Sequence, residues 1–175
     1  MHETERLSFA GAVDADGHIL EPPNLWETYL EPKYRDRALR VVPDENGLEE
    51  LEIGGARSRM SRKGFPSTLG AMGDPDLRGM QLDPERTYLH EAPFGSMDPA
   101  ERLVLLDAEG IDAAVLYTTI GLLWEAELED AERSQAYTRA YNRWLCEFCA
   151  ESPRLVPTAH LSLSDPAAAA TRRHT

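Results

Sequence analysis

The chain sets 31 acidic against 18 basic side chains over 175 residues, a net charge of −13, with 42% hydrophobic residues. That length can bury one real core, and the composition is ordinary for a globular domain. The acidity weighs against nucleic acid and against an anionic membrane surface, since both recruit clustered Lys and Arg.

No apolar run reaches the ~20 residues needed to span a bilayer. The opening Met1-His2-Glu3-Thr4-Glu5-Arg6 lacks the apolar stretch of a secretory signal. The expectation is therefore a cytoplasmic protein with no membrane partner, whose two cysteines stay reduced.

Residues 1–10 read as a loosely held leader. Val13 to Ile19 then reads as a short buried strand, stopped by Pro22-Pro23. Strict alternation would put Asp14, Asp16 and His18 on one face and Val13, Ala15 and Gly17 on the other. Asp16 and His18 could then reach a single metal ion from one strand. An ordinary capping or polar-packing role would explain the same residues, because a D-x-H triplet alone is a weak signal.

Asn24 is placed to cap a short helix through Leu25, Trp26, Tyr29 and Leu30, which Pro32 interrupts before a further turn through Tyr34 and Arg37. A helical Trp26 beside Leu and Tyr reads first as core. Leu39 to Val42, a turn over 43–47 and Leu48 to Ile53 read as a β-hairpin closed by Gly54-Gly55. From Arg57 to Met97 no period holds. So long an irregular stretch predicts a functional lid or cap, and residues 24–97 as a whole read as an insertion. Arg57, Arg59, Arg62 and Lys63 could steer an anionic substrate, or form a solvated loop.

Order returns at Asp98-Pro99-Ala100-Glu101, an N-cap with Pro at the first helical position. The helix should bury Leu103, Leu106 and Val104 and end at Gly110. Ile111 to Thr118 reads as a strand covered on both faces. A long helix follows from about Asp130 to Glu151, ended by Ser152-Pro153. Leu155 to Leu163 reads as a third strand, and Asp165-Pro166 starts another helix. Tyr117 and Thr118 at the end of the second strand, and His160 on the third, are candidate pocket residues; each has packing as its plain alternative. Cys146-Glu147-Phe148-Cys149 falls inside a helix with no second pair, so it reads as helix-face packing.

Strand, excursion, helix, strand, helix, strand, helix start is the rhythm of an α/β fold: a partial (β/α) TIM-type barrel of about three strands, with a hairpin-bearing excursion after the first. The three core strands should lie parallel, adjacent and in chain order. A closed barrel needs eight strands and ~250 residues, so the chain reads as one incomplete domain over 1–175, lacking its C-terminal strands.

Val13-Asp14-Ala15-Asp16-Gly17-His18-Ile19-Leu20-Glu21-Pro22, followed by Asn24-Leu25-Trp26-Glu27, resembles the opening of the amidohydrolase-related TIM-barrel family. That family includes metal-dependent decarboxylases of the aminocarboxymuconate-semialdehyde and hydroxybenzoate types. Its usual first-strand motif is H-x-H, or E-x-H in some aromatic-acid decarboxylases; here Asp16 stands at the first ligand position and His18 matches the second. The resemblance implies a divalent metal (Zn²⁺, Mn²⁺ or Mg²⁺) and a small, aromatic or unsaturated carboxylate as substrate. Asp in place of the first His makes the site harder, which shifts the expectation toward Mn²⁺ or Mg²⁺ relative to Zn²⁺. It also implies a homo-oligomer for a full-length form. The family's remaining ligands, a His from a middle strand and an Asp that also transfers the proton, would lie beyond Thr175, so no catalytic acid or base is assigned within this chain. The resemblance thus implies the N-terminal part of a decarboxylase or hydrolase; the alternative is a non-catalytic remnant or assembly partner.

Overall fold

The computed structural model of the chain describes residues 10–69 and 82–171. In chain order the elements are β1 (Val13–His18), α1 (Leu25–Tyr29), a 3-10 helix (Pro32–Arg37), β2 (Arg40–Pro43), β3 (Glu49–Ile53), β4 (Ala56–Arg57) and α2 (Phe65–Leu69). Then come α3 (Pro99–Glu109), β5 (Ala113–Tyr117), α4 (Gly121–Glu127), α5 (Ala131–Cys149), β6 (Leu155–Pro157) and α6 (Pro166–Thr171). The leader read over 1–10 lies, Ala10 apart, outside the described residues, as does the 70–81 part of the excursion.

Two sheets form. β1, β5 and β6 make a parallel sheet in the order β1-β5-β6, while β2, β3 and β4 make an antiparallel one. The parallel order agrees with the chain-order reading, and it follows from helical connections that return each strand beside the last. The excursion holds more than a hairpin: Gly54 and Gly55, both at positive φ, turn β3 into the short β4 instead of ending the sheet. Leu51, Ile53, Leu69 and Tyr88 of the excursion share one buried cluster with Leu116, Trp124 and Tyr141.

Trp26 is core, its ring centroid 5.2 Å from that of Trp124 and 5.1 Å from that of Tyr137. The caps of α3 are as the sequence indicates: Asp98 accepts from Glu101 N–H, and Gly110 closes the helix at φ 75°. At the start of α5, Asp130 accepts from Glu132 and Arg133 N–H. Val104 is not buried but 58% exposed, because α3 packs on the Leu106 side of its surface.

β1 departs from strict alternation. Between Asp14 and Gly17 it carries one residue more than β5 does opposite. Asp14 Oδ1 accepts the N–H of Asp16 at 3.0 Å, satisfying a donor within the bulge. The extra residue reverses the facing of what precedes it. Asp14 therefore lies with Gly17, where an added Cβ would come within 2.8 Å of Asp14 Oδ2 and 3.1 Å of the Val115 carbonyl. Asp14, read as sharing a face with Asp16 and His18, is on the other side.

The third strand is shorter than Leu155 to Leu163. After Thr158 N–H bonds the Leu116 carbonyl at 3.1 Å, the chain leaves the sheet and follows α5. There Asn142 takes the place of a strand partner, accepting His160 N–H and donating to the His160 carbonyl, each at 2.9 Å. Further on, Glu125 accepts from Ser134 Oγ at 2.8 Å, Ser162 Oγ at 2.9 Å and Leu163 N–H at 2.9 Å. Side chains of α4 and α5 thus hold 160–163 in place of β-ladder bonds.

One buried carboxylate joins the ends of β1 and β5. Glu21, 1% exposed, accepts from Thr118 Oγ1 at 2.5 Å, Thr119 N–H at 3.0 Å, Ile120 N–H at 3.0 Å and Gly121 N–H at 3.1 Å. These donors lead into α4, a helix absent from the sequence reading. Replacing Glu21 by Ala would leave several of them buried and unpaired, at roughly 1–3 kcal/mol each. Glu21→Ala should therefore lose about 3 kcal/mol or more in urea unfolding. A loss below about 0.5 kcal/mol, the range of ordinary surface substitutions, would show that the loop is held by something else.

The 158–163 clasp also predicts a pH response. Burial lowers the pKa of His160, against an opposing pull from Glu125. Burial acts to raise Glu125, but its bonds from Ser134, Ser162 and Leu163 outweigh that and bring its pKa below the ordinary value. For both groups the unfolded chain takes up a proton before the folded one does. Stability should thus be intact above about pH 6.5, fall first as His160 opposes protonation, and fall again below about pH 4.5 through Glu125. Subtracting the denaturation profile of His160→Gln from that of the parent should isolate the first step; identical slopes between pH 7 and 5 would contradict it.

Candidate functional site

β1 and β5 finish side by side, with His18 in register with Tyr117. The sheet face carrying these two is thinly covered. Ala114 and Leu116 are fully buried on the opposite face, whereas Val13 is 55% and Val156 40% exposed. The candidate site is the C-terminal end of this open face.

Asp16 and His18 do share a side, although the bulge rather than simple alternation precedes them. His18 Nε2 stands 3.7 Å from Asp16 Oδ1, with the His18 side chain 39% exposed and that of Asp16 87%. That is beyond hydrogen-bonding distance. It is close to the ~3.4 Å separating two donors held tetrahedrally about 2.1 Å from one metal ion. Imidazole nitrogen plus carboxylate oxygen is a donor set suited to Zn²⁺ or Mn²⁺, so the pair fits two positions of a divalent site. Among the described residues no group of three His, Cys, Asp or Glu side chains converges to complete one.

Thr119, which the sequence reading passed over, adjoins the pair. Its hydroxyl donates to the Ile19 carbonyl at 2.7 Å and lies 3.3 Å from His18 Nδ1. Arg102, reaching in from α3, donates from Nη2 to the His18 carbonyl at 2.6 Å. Burial lowers the Arg102 pKa, while Asp14 and Glu109 act the other way. No local motif marks Thr119 or Arg102, because both come into range only through the β1–β5 and β1–α3 packing.

The three pocket candidates separate. Tyr117 is half-buried beside His18, ring centroids 6.2 Å apart. Thr118 is buried and gives its hydroxyl proton to Glu21, which makes it part of the loop's internal bonding. His160 packs between Trp124, at 4.9 Å, and Tyr141, at 6.3 Å, with Nε2 3.8 Å from Glu125 Oε2. Its ring and hydrogen-bond partners come from α4 and α5, not from the end of β1. The basic run disperses too: Arg57 pairs with Glu50 and Glu52, and Lys63 with Asp44 at 3.0 Å. Cys146 and Cys149 are free thiols on α5, the first exposed and the second buried.

No protein-family model matches the chain, and no curated protein matches it. Among solved structures it is similar to an amidohydrolase from Mycobacterium avium subsp. paratuberculosis K-10, with a TM-score of 0.68 and 22% identity. That likeness, one of fold, covers 94% of this chain and 46% of the other, so the chain spans less than half the length of the protein it matches.

Proposed function

We propose that this chain supplies the first three strands of a divalent-metal-dependent enzyme of the amidohydrolase type, a decarboxylase or hydrolase acting on a small aromatic or unsaturated carboxylic acid. The observation that carries the proposal is the pairing of His18 Nε2 with Asp16 Oδ1 at 3.7 Å on the open end of a parallel sheet. Open α/β sheets and barrels place their chemistry at that end. The likeness in fold to a solved amidohydrolase supports it.

In this reading Asp16 and His18 hold two positions of the metal site. When bound, the metal would polarise a substrate oxygen or lower the pKa of a water. Tyr117 would flank the substrate beside His18, and residues 24–97 would act as the cap. His160 and Thr118 serve as support, given their partners. The remaining ligands and the proton-transferring group would come from further βα units, which would also cover the apolar open face.

A non-catalytic remnant or assembly partner is the second reading. What favours it is the lack, among the described residues, of a third metal-binding side chain beside the pair. On both readings this chain alone should show no turnover of aromatic carboxylates, since a missing general acid or base typically costs ~10²–10⁴-fold.

Metal binding separates the two readings. After equilibration with Mn²⁺ or Zn²⁺, elemental analysis should find metal on the parent protein and less on Asp16→Ala and on His18→Ala. Equal metal content in all three would remove the metal assignment. Turnover by this chain alone would show that it completes an active site by itself.

A further inference from the structure

We infer that Thr119 is a positioning residue for His18, holding the imidazole in its Nδ1–H tautomer so that Nε2 keeps the lone pair that faces Asp16. A backbone carbonyl can only accept, so at 2.7 Å from the Ile19 oxygen the Thr119 hydroxyl must be the donor. A hydroxyl has one proton. Toward His18 Nδ1, 3.3 Å away, the same oxygen can then act only as acceptor, and Nδ1 must carry the hydrogen. In a neutral imidazole the other nitrogen is left unprotonated.

The hydroxyl is held firmly enough for this choice to persist. Thr119 is 8% exposed, and its N–H is bound by the buried Glu21 carboxylate at 3.0 Å. Its β-branched side chain has few rotamers available. The acceptor and the ring belong to successive residues, Ile19 and His18, so Thr119 clasps the end of β1 at two adjacent points. Arg102 fixes the same residue's backbone through the His18 carbonyl.

The consequence falls on the space between His18 and Asp16. If Nε2 carried the proton, the imidazole could turn that hydrogen toward the Asp16 carboxylate and close the pair on itself. With Nδ1–H engaged by Thr119, Nε2 and Asp16 Oδ1 instead present lone pairs to each other across 3.7 Å, an arrangement that a cation between them relieves. That the cation is a metal rests on the function proposed above; the tautomer does not.

The test uses the whole chain, treated with a chelator and labelled with ¹⁵N at histidine, at a pH where the imidazole is neutral. A long-range ¹H–¹⁵N correlation spectrum distinguishes a protonated ring nitrogen from an unprotonated one, and the signals lost in His18→Gln identify His18 among the five histidines. The expected result is protonated Nδ1 and unprotonated Nε2 in the parent. Thr119→Ser should retain that signature, and Thr119→Val should lose it for the Nε2–H form or a mixture. A structural role in the loop alone would leave the tautomer unmoved. A parent spectrum with Nε2 protonated would overturn the inference, and needs no variant to fold. So would Thr119→Val retaining the Nδ1–H form. Because metal is absent throughout, this result stands apart from metal uptake by the Asp16 and His18 variants.

Discussion

A carboxylate removed from water is costly unless hydrogen bonds replace its hydration, and the Glu21 side chain is almost wholly removed. Its four donors all come from the stretch 118–121. The three successive N–H groups of Thr119, Ile120 and Gly121 are of the kind that a helix start leaves unpaired, so the carboxylate stabilises the entry to α4 as well as its own burial. The chain has left the sheet by this point, since β1 ends at His18 and Leu20 N–H bonds the Ser96 carbonyl at 2.9 Å. Pro22 and Pro23, lacking N–H groups, cannot resume a ladder. The Glu21 carbonyl meanwhile accepts the hydroxyl of Tyr88 at 3.0 Å, tying the excursion to the same point. One residue thus links the end of β1, the end of β5 and the inserted segment. The spacing of Thr119 from His18 depends on it.

What could be read in advance has a common physical character: it was local. The caps at Asp98 and Gly110 act within one helical turn, and the parallel order of three strands follows from their helical connections. What escaped is decided across long separations. The bulge in β1 arises from how two strands, a hundred residues apart in sequence, settle against each other, and it reversed the facing assigned to Asp14 while sparing Asp16 and His18. The third strand ended early because Asn142 offers the backbone of His160 an alternative partner on α5. Val104 sits in a stretch so rich in leucine that periodicity could not choose its face, and packing left it exposed.

At the candidate site the same division holds. The D-x-H pair was visible as a motif, and its side chains do meet on one side of the sheet. Its neighbours Thr119 and Arg102 were not visible, since Thr is an unremarkable residue at a strand end and Arg102 lies on the surface helix α3. Yet these two govern the pair: Arg102 through the His18 carbonyl, Thr119 through the ring nitrogen. Partners in this outer layer set the direction and tautomer of a ligating imidazole. Tyr117 gained its place beside His18 from strand register alone.

The edge of the parallel sheet bears on what can complete such a site. Because the Arg154 carbonyl and the Thr158 N–H both bond β5, Leu155 and Pro157 direct their backbone groups away from it. The Leu155 N–H is already taken by the Ser152 carbonyl at 3.0 Å, and Pro157 has no N–H to give. Within β6 the outer edge therefore offers carbonyl oxygens and no free donor. A strand arriving there can donate but not accept, forming half of a normal ladder, so indiscriminate edge pairing is discouraged. Any unit that completes the sheet must then be held chiefly by side-chain packing on the apolar open face, where Val13 and Val156 remain uncovered. That face ends at His18 and Asp16, so the packing that would complete the sheet would also bring new side chains to the rim of the candidate metal site.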